Sequence, residues 1–150
     1  MKRILIDASS LLNLHETGML QYLLSLPMEL FTTNLELNNL PSSLKNQLES
    51  SDIKIMQCEE ELEECNNNSI SFTNSYLFSD RLFLIYGIKH EMSVVSDESL
   101  ILKVAKDHNL TVNSVSDIIK LIEEEKIAPK KDCEKAIKLM MILYPSITSI

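Results

Sequence analysis

The chain has 150 residues, 45% of them hydrophobic and 24% charged. That is enough for one buried core without disulfides or structural metal, and it excludes a disordered chain. Twenty-two acids stand against fourteen Lys and Arg, and a formal net charge of −8 argues against broad phosphate neutralisation on duplex DNA.

The first predicted element is a strand over Lys2 to Ala8, where Arg3-Ile4-Leu5-Ile6 is apolar enough for a central parallel position. A helix is predicted from about Ser10 to Leu26, with Leu11, Leu14, Leu20, Leu23 and Leu24 along one stripe and Pro27 closing it. Glu29 to Thr33 is a second strand, and Thr33 or Asn34 caps a helix over Leu35 to Glu49 that Pro41 kinks or splits. Asp52 to Cys58 alternates as a third strand; the acidic run Glu59 to Glu64 is a short solvated helix, broken at Asn66 to Asn68. The most apolar helix spans about Phe72 to His90, followed by a fourth strand over Met92 to Ser96 and a helix over Asp97 to His108. A fifth strand, Leu110 to Asn113, precedes helices over Val115 to Lys126 and Asp132 to Leu143. Strand and helix in alternation predict a single α/β domain over residues 1–150, three layers deep (α/β/α), with a mostly parallel sheet of four to five strands.

Several chemistries are excluded. Gly18 and Gly87 are the only glycines, so no Gly-rich phosphate cradle exists. Cys58, Cys65 and Cys133 lack zinc-ligand spacing and are expected as reduced thiols of a cytoplasmic protein. The opening MKRILIDASS is interrupted by Asp7 and does not read as a signal peptide, and no apolar run reaches membrane-spanning length. His15, His90 and His108 are isolated, and no strained GxSxG elbow exists.

Four carboxylates are placed to matter. In open α/β folds the working groups sit beyond the carboxyl ends of the strands. Asp7 ends the first strand, Asp97 ends the fourth, and Glu36 follows the second in the first turn of its helix. Asp80 shares a helix face with Tyr76, Leu77, Phe83 and Leu84, an apolar setting in which an unpaired charge is costly. Each has an ordinary role open to it. Asp97 fits an N-cap, Asp7 an Asx-turn with Ser9 or Ser10, Asp80 a partner for Arg81, and Glu36 a favourable charge at a helix start. Carboxylates that converge repel one another unless a cation or protons intervene, and a hard Mg2+ or Mn2+ ion suits an all-oxygen site.

The segments ILIDASSLLNL and SVVSDESLILKVAKDHNLTVNSVSDII resemble a PIN domain, and CEKAIKLMMILYPSITSI is similar to the C-terminal helix of a subfamily close to the VapC-like toxins. The resemblance implies a metal-dependent ribonuclease, often the toxin of a toxin–antitoxin pair. It would have an RNA substrate, a small antitoxin protein as partner, a possible homodimer and no membrane association. It makes Asp7 the first ligand of Mg2+ or Mn2+. Asp80 becomes the acid of the mid-chain helix and Asp97 the acid after the fourth strand, with Glu98 beside it. Ser9 resembles the small polar residue that supports the first acid. The family's Glu in the helix after the second strand falls at Asn39, with Glu36 one turn earlier on the same face. Lys2, Arg3, Arg81, Lys103 and Lys106 are the candidate guides for RNA. The rival expectation, favoured by the second-acid departure and the net charge, is a catalytically degenerate PIN-like module that binds protein or RNA.

Overall fold

The computed structural model describes residues 2–58 and 78–145. The acidic run over 59–64, its break at 66–68 and the first residues of the mid-chain helix lie outside that description.

Arg3–Ile6 forms β1, Glu29–Thr33 β2, Lys54–Met56 β3, Ser93–Val95 β4 and Val112–Asn113 β5. All pairings are parallel, in the order β3-β2-β1-β4-β5. The predicted α/β class and strand number are therefore observed. The apolar run of β1 has its reason in this order, because β1 is central and buried on both faces. Ile4 and Ile6 face a cluster with Leu11, Leu14, Leu23, Ile118 and Ala136. Leu5 points the other way, to Phe31, Phe83, Leu84, Val94 and Ile101. Two cores, one on each side of the sheet, are the physical content of the three layers.

The helices are α1 (Ala8–Glu16), α2 (Leu20–Leu23), α3 (Asn34–Asn38), α4 (Ser42–Glu49), α5 (Phe78–Lys89), α6 (Ser99–Asp107), α7 (Val115–Glu124) and α8 (Lys130–Leu143). Pro41 splits the predicted helix over 35–49 into α3 and α4. The helix predicted over 10–26 is also two, a break that the apolar stripe concealed. Gly18 adopts φ +76°, its amide donates to the His15 carbonyl, and the Met19 amide donates to Leu14. These two bonds form a Schellman ending, which needs one left-handed residue. The same paired bonds end α5, α6 and α7, with Glu91, Asn109 and Lys126 in the left-handed position. Three non-glycine residues there follow from a chain with two glycines.

The chain runs outward from β1 through β2 to β3, then returns to β4 on the other flank of β1. That reversal opens a crevice beyond the carboxyl ends of β1 and β4. Gly87 seats α5 over these two strands. A Cβ there would lie 3.2 Å from Leu5 Cδ2 and 3.6 Å from Val94 Cγ2. Asp80 is seven residues earlier, two turns along the same face, which places it at the crevice.

Two outcomes follow. Gly87→Val should lower stability by about 1–3 kcal/mol through overpacking between α5 and the sheet. Lys126→Gly, at an exposed left-handed position, should raise it by about 1 kcal/mol. Urea unfolding of each variant measures both.

Candidate carboxylate site

Asp7 leaves β1 as the N-cap of α1, and it is 1% exposed. Its Oδ1 accepts from the Ser10 amide at 3.0 Å, and its Oδ2 accepts from the Ser96 hydroxyl at 2.6 Å. Ser96 Oγ in turn accepts from the Glu98 amide at 3.0 Å. The β1–β4 register explains the pairing: Ile6 lies opposite Val95, so the residues that follow them meet.

Glu36 arrives from β2. Thr33 caps α3 by accepting from the Glu36 amide at 3.1 Å, and the tight first turn points the Glu36 side chain inward, where it is 1% exposed. Its Oε1 accepts from the Ala8 amide at 2.9 Å. That amide opens α1 and has no partner within the helix, so Glu36 satisfies it and meets the positive end of the helix. Among the described residues, buried Glu36 Oε2 has no hydrogen-bond donor, and buried Ser10 Oγ and Asp97 Oδ2 likewise have no partner. α3 packs against α5, which brings the Glu36 and Asp80 carboxyls within reach of a shared proton.

Among the described residues, no Lys, Arg or His forms an ion pair with Asp7, Glu36 or Asp80. Burial therefore dominates their titration. It pushes Asp7 up to about 6, with the Ser10 and Ser96 bonds opposing and Asp80 adding repulsion. Burial also raises Glu36, opposed by the Ala8 bond and reinforced by the Asp80 and Asp7 charges. Asp80 is half-buried and raised by burial, with the Glu36 bond opposing.

The other predicted residues fall around this trio in ways the sequence did not separate. A cavity of about 530 Å3 is lined by Ser9, Glu36, Asn39, Asp80 and Glu98, among others, and neither Asp7 nor Asp97 is on its wall. Asp97 Oδ1 accepts from the Val115 amide at 3.0 Å, its nearest raising charge is Asp117, and it is lifted chiefly by burial. It ties the end of β4 to the start of α7, and Glu98 faces the cavity instead. Asp97 does not cap α6, whose N-cap is Glu98. Ser9 lines the cavity, but the hydroxyl bonded to Asp7 belongs to Ser96. Asn39 ends α3 at the rim, where its Nδ2 donates to Ser79 Oγ at 3.0 Å, while Glu36 holds the floor. Lys2 and Arg3 head β1, at the amino ends of the strands and away from the crevice, and Arg3 donates to the His90 carbonyl at 2.8 Å. A cation near the cavity is Lys45, which sequence reading passed over; its Nζ donates to Asn38 Oδ1 at 2.9 Å, and Asn38 is a wall residue.

A hard divalent cation fits this donor set by chemistry: oxygen ligands, excess negative charge and the orphaned Glu36 Oε2. Among the described residues, no three acids, histidines or cysteines already close around one point. One or two carboxylates, waters and substrate oxygens would hold such an ion, as is usual for Mg2+. Compared with family models, the chain matches none, and no curated protein matches it.

The acids should carry a stability cost that pH exposes. Between its ordinary value of 3.8 and about 6, folded Asp7 holds a proton that the unfolded chain has released. Stability therefore falls as pH rises from about 4 through about 6, by up to about 3 kcal/mol for two units. Asp7→Asn removes the charge and keeps an acceptor for the Ser10 amide, while its amide nitrogen faces Ser96 Oγ as a donor in place of the second acceptor. Urea unfolding at pH 5 and pH 8 should show a smaller drop in the variant than in the wild type. An equal drop in both would refute the assignment.

Proposed function

We propose that the chain is a divalent metal-dependent ribonuclease on a PIN-like domain. The observation that carries this reading is the burial of Asp7 and Glu36 beside Asp80, at a helix N-terminus, with Glu36 Oε2 lacking a donor among the described residues. Asp7, Glu36 and Asp80 would hold Mg2+ or Mn2+, with Glu98 lining the cavity that Glu36 and Asp80 also line. The bound ion supplies a lowered water pKa and a clamp on phosphodiester oxygens. Asp7 is oriented for this by the Ser10 amide and Ser96 hydroxyl, and Glu36 by the Ala8 amide. Ser96 also fixes the loop that carries Glu98. Lys45 gives the rim a positive charge suited to a flanking phosphate. A net charge of −8 disfavours duplex binding and leaves single-stranded RNA as the substrate class.

A cytoplasmic place of action goes with that substrate. Among the described residues, no helix is long and apolar enough to cross a membrane. A small antitoxin protein and a second copy of the chain are the partners that the VapC-like resemblance proposes.

The second reading is a catalytically inactive module binding RNA or protein, and it is favoured by the absence of three acids around one point among the described residues. Cleavage of a fluorescent single-stranded RNA with Mn2+ separates the two. Under the nuclease reading, Asp7→Asn, Glu36→Gln and Glu98→Gln each lower the rate by about a hundredfold or more. Asp97→Asn, which keeps an acceptor for the Val115 amide, stays near wild type. Mn2+ should also raise the melting temperature of the wild type and not that of Asp7→Asn. No cleavage and no Mn2+ stabilisation would leave the binding module.

A further inference from the structure

We infer that the outer wall of the cavity is a nucleobase subsite, where Phe78 offers its ring face to one unstacked base of a single-stranded RNA. The inference rests on the ribonuclease reading and names what the site holds beside the scissile phosphate.

Among the described residues, five large apolar side chains are exposed: Phe78, Leu100, Met141, Ile142 and Leu143. Phe78 alone among them lines the carboxylate cavity, and it is 51% exposed there. The core contacts of α5 are made further along, by Leu82, Phe83, Leu84 and Ile85, all buried. Phe78 is thus an aromatic ring on the first turn of a helix, two residues before Asp80, half in solvent. An exposed ring beside a charged cavity has a clear chemical partner in a nucleobase, whose π-face stacks on it.

The surroundings agree. Leu35 supplies a second apolar wall, while Asn38, Asn39 and Ser79 supply amide and hydroxyl groups for base edges. The cavity volume of about 530 Å3 is within the usual range for small-ligand sites. Lys45, on Asn38, places a cation at the rim for an adjoining phosphate. Stacking is tolerant of base identity but requires an unpaired base, so the subsite selects single strands over duplexes.

The test is fluorescence anisotropy of a labelled RNA octamer with Ca2+ in place of Mn2+, with Mn2+-driven cleavage measured alongside. Phe78→Ala should weaken binding about tenfold or more and raise KM with little change in kcat. Phe78→Trp should restore binding, and Phe78→Leu should not. An octamer with an abasic site at the stacked position should bind wild type and Phe78→Ala alike. Wild-type affinity in Phe78→Leu would overturn the subsite and indicate a plain apolar pocket. Cleavage with wild-type KM in Phe78→Ala would overturn the subsite and leave the ribonuclease reading standing. No RNA binding and no cleavage by the wild type would overturn both.

Discussion

One hydrogen bond joins the parts of this crevice: the Ala8 amide donating to Glu36 Oε1. It links the first turn of α1 to the first turn of α3, and so the loop after β1 to the loop after β2. With that oxygen fixed, the other is left in a buried place with no donor among the described residues, facing a second acid. Asp7 is held just as firmly, by the Ser10 amide and the Ser96 hydroxyl. A polar network this buried is worthwhile to a fold only when every member is satisfied, or when the unsatisfied member has a ligand. Among the described residues the unsatisfied atoms include Ser10 Oγ and Glu36 Oε2, and for a carboxylate oxygen the ligand is a cation or a proton.

Much of this arrangement was legible in the residues. The continuous apolar run of β1, the alternation of strand and helix, and Pro41 as a divider all express local rules that the tertiary structure obeys. One argument, that acids at strand ends or on apolar faces converge, singled out Asp7, Glu36, Asp80 and Asp97. The Asp97–Glu98 pair was not resolved by it. Adjacent residues leave a strand in different directions, and which one turns to the cavity depends on the bond from Val115, contributed by a helix eighteen residues away. Ser96 was missed for a related reason: its partnership with Asp7 follows from the register of β1 against β4, which no local pattern encodes. The break at Gly18 was hidden because Leu20 and Leu23 continue the apolar stripe on a separate short helix.

The strong negative charge also takes a different meaning in the structure. Glu36, pushed up to about 8 by burial, favours a proton at neutral pH and contributes less to the field than a formal count assigns it, whereas Asp7, at about 6, is mostly ionised there. The Glu36 charge emerges fully only when something stabilises it. An acidic surface with acids of this kind in its crevice repels polyanions in general, and it accepts them where a cation or Lys45 reverses the local sign.

The strand order has a consequence for synthesis. β1 is made first, yet one of its two neighbours, β4, is some ninety residues further along the chain. A nascent chain that has completed β3 already contains Asp7 and Glu36, but neither α5 nor the Ser96 hydroxyl that grips Asp7. The hydrogen-bonded setting of Asp7 therefore has no assembled form on an incomplete polypeptide. Whatever chemistry the crevice performs begins only after about two-thirds of the chain has left the ribosome, and the flank of β1 meant for β4 stays unpaired until then.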